Sequence, residues 1–571
     1  MRAWYNVCVL LVAGLSECRL VLDTGAYLKL PDGANKYTWN AGTATKASYD
    51  PVENLLYVIG HTADVVHVVN MTDPGNPVRL FTKRFSPLNQ GLPNDVQVCR
   101  SKVPGGGGQL AVSFESAGLN QKGHVHFYAL MESNNFQNYL TDALDVVTTE
   151  SYDPRSVGWT ENCTGLVVAS EGLPHELNKA FEDPPADIEV LLPNFGTTVD
   201  RREIPISESK AAAAKVRQVF EKCTSGTGAN QTSTLKQALE PTAVHVDTND
   251  VAYILFQDNN AIASLNLTNP FAELEFFSLG TKDWSRFEFD GAYEDSGINL
   301  QSRQIVSFYQ PRDMVSFEVD GKVWLATADT GSPRRVSLTS CRFDDSVAAS
   351  SWRKAFSDGM TSDEVTKLKG EMAAGSQIGR IPVSLLKQDT DGWDPVYQGY
   401  DFVATFGGRG FSILDPVGMK RVYDSGDDFE RYFTTPQATD EQKAMFNSYV
   451  SKVTEPQTAQ FDRRSAYLGP QPSAIAAGAF NSSTQMLVIA NGVTGGLYTY
   501  TVTSGPTVTF ESYIRRGNAG LTWDAAFKQD SDAVGEPSIT DLLYIEDQGQ
   551  KTVVAVSQSA GALSFYSVRE R

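Results

Sequence analysis

The sequence predicts an all-β fold: a single YVTN- or WD40-like β-propeller of eight or seven blades, with helical insertions. Three observations lead there. An apolar strand, a short polar turn and a second alternating strand recur along almost the whole chain. Several of these hairpins are introduced by a proline and a further strand, and proline belongs where a strand begins because it cannot donate a ladder hydrogen bond. No stretch of linker composition divides the chain. A unit of three or four short antiparallel strands cannot bury its own faces, whereas stacking such units around a ring buries both. The regular spacing favours this ring over a pair of β-sandwiches.

The hairpins follow in order. Leu55–Ile59 is expected to pair with Val65–Val69, Leu110–Phe114 with His124–Tyr128, and Leu166–Ala169 with Ile188–Leu192. Val251–Phe256 then meets Ala261–Leu267, and Val323–Ala328 has its partner displaced by an insertion to Ile378–Val383. Phe402–Phe406 with Phe411–Leu414, Leu487–Ala490 with Leu497–Val502, and Val553–Val556 with Leu563–Val568 complete the set. The leading strands begin at Pro93, Pro154, Pro241, Pro311, Pro472 and Pro537. Eight hairpins favour eight blades; seven follow if the hairpin after the large insertion shares a blade with its predecessor. The ring closes when a strand near Leu20 pairs into the blade ending at Val568.

Insertions near 193–239, 341–376 and 431–460 interrupt the pattern. Ser207 to Lys222 is Ala-rich and reads as a helix capped by Ser207. Asp345 to Ala374 reads as two helical pieces, the second with Thr361 as cap and Glu364 in its first turn. Thr439 to Val453 is a third expected helix.

Composition bounds the function. The 571 residues carry 68 acidic and 48 basic side chains, a net charge of −20, and 41% are hydrophobic, enough for a large core. A chain this acidic repels nucleic acid and anionic membrane surfaces. Residues 1–18 read as a secretory signal: Arg2, an apolar run from Val7 to Leu15, then Ser16-Glu17-Cys18. Residues 19–571 are then the propeller. With no transmembrane segment and no apolar C-terminal tail for a lipid anchor, the expectation is a protein released to the extracellular space. Cys99, Cys163, Cys223 and Cys341 supply two disulfides with three pairings open. Glycosylation sequons stand at Asn70, Asn162, Asn230, Asn266 and Asn481.

No GxSxG, Walker or HExxH pattern occurs. His124 and His126 share a strand face but lack an identifiable third ligand. Carboxylates carry more. Asp389, Asp391 and Asp394 place three acids in six residues around Gly392, so their oxygens are candidates to converge on Ca²⁺. Asp424, Asp427 and Asp428 form a second such run, which Arg431, Arg463 and Arg464 are placed to neutralise at the surface.

The second run also carries a family likeness. Tyr423-Asp-Ser-Gly-Asp-Asp-Phe-Glu-Arg431, Phe461-Asp-Arg-Arg-Ser465 and Gly469-Pro-Gln-Pro472 resemble the signature of the choice-of-anchor I proteins. Gln257 to Ile262, Leu279 to Asp283, Asp295 to Asn299, Gly379 to Ile381, Asp389 to Gly392 and Phe406 to Ser412 match in family order. The resemblance spans nearly the whole chain after the signal. Its animal members are the mesenchyme-specific cell-surface glycoproteins of skeleton-forming cells, so it implies a secreted or surface-held propeller tied to biomineral and extracellular matrix. Some bacterial relatives carry an alkaline phosphatase label. Here the acids that the family tends to place after its blade-starting prolines are replaced at Thr242, Arg312, Ser473 and Ser538, and Gln471 stands in the GPEPE-like stretch. A metal-dependent hydrolase needs convergent carboxylates. The reading therefore favours a non-enzymatic binding protein, with Ca²⁺ the expected cofactor and an extracellular protein, glycan or mineral surface as partner. The alternative is a calcium-dependent phosphoesterase in the central channel.

Overall fold

Tight polar turns set the hairpins. Asp320-Gly321, with φ of 55° and 71°, joins strand Asp313–Val319 to Lys322–Asp329. Gln548-Gly549, at 48° and 80°, joins Ile539–Asp547 to Gln550–Ser557. Two consecutive left-handed residues give the turn whose twist matches that of paired strands, and glycine takes the second position without strain. The computed structural model describes residues 19–571 except 86–90, 102–107, 118–120, 132–142, 194–198, 221, 228–231, 296, 451–452 and 530. The expected signal segment and Asn230 lie outside the described residues.

Among the described residues, seven four-stranded antiparallel sheets carry the fold. Sheets I to VI occupy 46–84, 93–148, 153–204, 243–278, 313–424 and 472–514. Sheet VII takes three strands from 539–570 and its outer strand, Leu20–Lys29, from the other end of the chain. There Leu22 lies opposite Val568 and Asp23 opposite Ser567. Each pair of consecutive sheets encloses its own apolar layer. Leu55, Tyr57 and Ile59 of sheet I pack with Leu110, Val112 and Phe114 of sheet II, and so on to Val554, Val556 and Leu563 of sheet VII against Leu56 and Val58 of sheet I. Each such side chain contributes about 1.5–3 kcal/mol when fully buried, and an isolated sheet would leave both faces wet.

The first strands of the sheets contact one another in chain order, and the seventh contacts the first. A side-chain hydrogen bond crosses every junction. Ser48 Oγ accepts from the Val98 N–H at 2.9 Å, Asp95 Oδ2 from Val157 at 3.0 Å, and Ser156 Oγ from Val244 at 3.1 Å. His245 Nε2 accepts from Ser316 at 3.0 Å and Asp313 Oδ2 from Ile475 at 2.9 Å. Ser473 Oγ donates to the Ile539 carbonyl at 2.6 Å, and Asp541 Oδ2 accepts from Ala47 at 2.8 Å.

Among the described residues the four-stranded sheets number seven rather than eight because two expected hairpins are one. Val323–Ala328 pairs not with Ile378–Val383 but across the whole insertion, Leu325 opposite Leu414 and Ala328 opposite Phe411. Ala404–Phe406 instead pairs in parallel with Val306–Phe308. Ile378, Ile381 and Val383 are apolar because they fill a separate core of the insertion, with Trp284, Trp352, Leu368 and Tyr400. Strand Asp200–Ile204 completes sheet III, so the connection to sheet IV starts past 204 and not near 193. The insertion in sheet V runs from 330 to 409, and the link to sheet VI from 425 to 471. The helix capped by Thr361 runs as expected, Ser362–Ala373 with a Thr361/Glu364 capping box, while two others are shorter than expected: Glu208–Ala213 under the Ser207 cap and Asp440–Lys443 capped by Thr439. The first of the two pieces expected in 345–374 is a single 3-10 turn, Ala349–Ser351. Disulfides join Cys99 to Cys163 and Cys223 to Cys341. Among the described residues no helix is long and apolar enough to cross a membrane.

Candidate functional site

A cavity of about 380 Å³ opens where the seven first strands come together, each contributing to its lining, from Lys46 of sheet I to Thr540 of sheet VII. Its position follows from the strand-introducing prolines: Asn94, Arg155, Thr242, Arg312 and Ser473 each directly follow one and point into the cavity lining.

Charge in and around this cavity is largely compensated. Arg155 lies 3.3 Å from Glu171 and 3.4 Å from Asp153. Arg334 lies 2.5 Å from Glu240 and 3.1 Å from Asp258, and Lys46 is 3.5 Å from Asp541. Glu171 holds Arg155 above its ordinary range. Burial alone would lower Lys46, but Asp541, Asp313 and Asp95 outweigh it and keep the ammonium above its ordinary value. Burial pushes Glu171 up to about 7 against the pull of Arg155, and Asp541 up to about 6 against that of Lys46. Asp313, the third acid of the lining, holds the Ile475 backbone. Arg312 differs from the other cations. Its side chain is exposed to the cavity and, among the described residues, makes no salt bridge or hydrogen bond.

The two acid runs singled out in the sequence lie elsewhere and do not converge. Asp389 is exposed and pairs with Lys215 at 2.8 Å. Asp391 is buried, with both oxygens on the Arg217 guanidinium at 3.0 and 3.1 Å and with Ser384 donating to it. Asp394 folds its own turn, accepting from the Val396 and Tyr397 N–H groups. In the second run, Asp424 takes Lys282 Nζ at 2.9 Å and the Tyr309 hydroxyl at 2.8 Å. Asp427 accepts from Arg431 and the Glu288 N–H, and Asp428 from the Tyr500 hydroxyl at 3.3 Å. Burial would raise Asp427, but Arg431 holds it below its ordinary value, while burial pushes Asp428 up to about 6. Neither run fits a calcium cage, because the oxygens are turned toward separate partners. Arg431 does neutralise Asp427 as expected, but Arg463 stacks on Tyr293 and Arg464 bonds Gln471. His124 and His126 have ring centroids 6.3 Å apart, and burial holds His126 down to about 4.

Sequence reasoning flagged Arg312, Thr242 and Ser473 only as departures from a family pattern. It missed Lys46 and Arg155 as cavity residues, although for Arg155 the preceding proline was a usable signal. The sequons Asn162, Asn266 and Asn481 are exposed and Asn70 is half-buried.

The sequence profile of the choice-of-anchor I domain matches residues 45–505. Gigasin-3a of Magallana gigas is 27% identical over 208 residues, 35% of this chain and 65% of that protein. The mesenchyme-specific cell surface glycoprotein of Strongylocentrotus purpuratus is 26% identical over 339 residues, 57% of this chain and 42% of its own length. The matched region thus spans less than two-thirds of either relative. A profile match over most of the chain, through five of the seven sheets and into the sixth, places this protein in the choice-of-anchor I family.

Proposed function

We propose that this chain is an extracellular or cell-surface binding protein, folded as one seven-bladed β-propeller from residue 19 onward, whose central cavity takes an anionic group of a matrix or surface partner. The cyclic order of the seven first strands supports the propeller. Family membership, the cell-surface glycoprotein among its relatives, the two disulfides and the exposed sequons support an extracellular setting. In that setting the net charge of −20 draws Ca²⁺ weakly and diffusely, which suits a protein of matrix or biomineral surroundings.

The observation that carries the binding reading is Arg312, a solvent-reached cavity cation that makes no salt bridge among the described residues. A guanidinium presents paired donors matched to a carboxylate or sulfate, and about 380 Å³ holds a single sugar or acidic side chain. Binding is preferred to phosphoester hydrolysis because the lining acids Glu171 and Asp258 face arginines and Asp313 holds backbone. Titration calorimetry with glucuronate, and with the uncharged glucoside as control, tests it. Saturable glucuronate binding that Arg312→Gln weakens about tenfold to a hundredfold is expected. Equal binding to both proteins, or none to either, refutes the reading.

A further inference from the structure

Away from the cavity, the connection between sheets IV and V meets the connection between sheets V and VI at three acids. One oxygen from each of Asp290, Asp295 and Asp462 lies within 4.8 Å of the others. Asp290 is 0% and Asp462 2% exposed, while Asp295 is half-buried and faces the surface. Their protein contacts leave oxygens over. Asp290 accepts from the Ala292 and Asn299 N–H groups at 3.2 and 2.8 Å. Asp462 Oδ1 accepts from Ser465 and Asp295 Oδ2 from the Asn299 amide, but the buried Asp462 Oδ2 and Asp295 Oδ1 have no hydrogen-bond partner.

No lysine or arginine neutralises them among the described residues. The nearby Arg409 is committed to Glu430 at 3.0 Å and to the Asp290 carbonyl at 2.8 Å, and Arg380 to Glu294 at 2.6 Å. Three carboxylates gathered away from water without a cation are strongly disfavoured. Burial first, and the neighbouring acids after it, push Asp290 up to about 7 and Asp462 up to about 8.

We propose that Asp290, Asp295 and Asp462 bind a hard divalent cation, with Ca²⁺ the ion of choice, clamping the two connections together. Oxygen-only donors suit Ca²⁺ or Mg²⁺, and the half-exposed Asp295 leaves room for the several waters that a calcium shell completes itself with. The proposal deepens the calcium part of the function reading, yet a built site and a diffuse surface attraction are separable, as is the anion cavity.

The test is a calcium isotherm on the chelator-stripped full chain at low and high salt, with Mg²⁺ as comparator. A built site predicts one saturable binding event that survives high salt, because buried charges are poorly screened. Asp462→Asn should weaken it about tenfold or more, and so should Asp295→Asn, whose half-exposed position keeps the fold intact. Asp389→Asn should leave it unchanged. Weak sites that vanish with salt, and a salt-resistant site indifferent to both variants, would each overturn the proposal. The first result would leave the diffuse surface reading standing, and neither would touch glucuronate binding at Arg312.

Discussion

Asp391→Asn separates an internal ion pair from a cation site. The Arg217 guanidinium is 1% exposed and lies over the Phe308 ring at 4.6 Å. Its Nε meets both Asp391 oxygens at 3.0 and 3.1 Å, and its Nη2 lies 3.0 Å from Asp391 and 3.0 Å from Asp345. Asparagine in place of Asp391 removes one of two counter-charges and turns an amide N–H toward a group that only donates. Breaking a buried pair costs about 3–5 kcal/mol, and the surviving Asp345 places the loss near about 3 kcal/mol. An unfolding entropy of about 2.1 cal/mol/K per residue, taken over 571 residues, converts this to a fall of about 2–3 °C in Tm if the chain melts as one unit. Scanning calorimetry at neutral pH, with and without calcium, reads it. Asp389→Asn, at an exposed position, should melt with the wild type. An unchanged Tm for Asp391→Asn together with lost calcium affinity would refute the ion-pair account and restore the turn as a ligand.

Three further predictions rest on separate features. Replacing Cys223 and Cys341 together by serine frees a loop of 118 residues and should cost about 5 kcal/mol on the chain-entropy account, read as a fall in melting temperature that reductant, which also opens Cys99–Cys163, exceeds on the wild type. His67 is fully buried, with Nε2 on the Thr43 carbonyl at 3.0 Å and Nδ1 near the Thr82 hydroxyl at 2.8 Å, and burial holds it down to about 3. A folded-state value below the unfolded one means stability is full above about pH 6.5 and falls as pH drops toward 3, by up to about 1.4 kcal/mol per unit; acid titration of stability should be shallower in His67→Gln. Gly321→Ala meets open space but at φ of 71°, so it should lose about 1 kcal/mol from backbone strain alone, seen as a small shift in the urea midpoint.

The strands were legible because alternation and turn chemistry are local. Leu487–Ala490 and Leu497–Val502 lie in neighbouring strands of sheet VI, six residues apart in sequence. Pairing across an insertion is not local: Leu325 and Leu414 look no more like partners than Leu325 and Ile378, since both candidates are buried, one in the sheet and one in the insertion's own core. The Ala-rich run after Ser207 reads as a long helix, yet the chain leaves it at Lys215, with φ of 54°, and sends Val216 and Arg217 inward. The candidate site fared similarly. Acid runs were visible, but whether Asp391 faces water or Arg217 depends on a residue 174 positions away. Asp295 and Asp462 each stand in a quoted motif and Asp290 in none, and nothing in these stretches alone says that the three meet.

The pairing of Leu20–Lys29 with Ala562–Glu570 also constrains how the molecule is made. Of the described strands, the first to be made must wait for the last. At roughly 5–20 residues per second, the interval between Leu22 and Val568 is roughly half a minute to two minutes. Through that time Leu20–Lys29 is an unclaimed edge, a template for any strand that passes. Six sheets can form in order behind it, but that seam stays open until Ala562–Glu570 is made, and a chain cut short before that strand would keep it open for good.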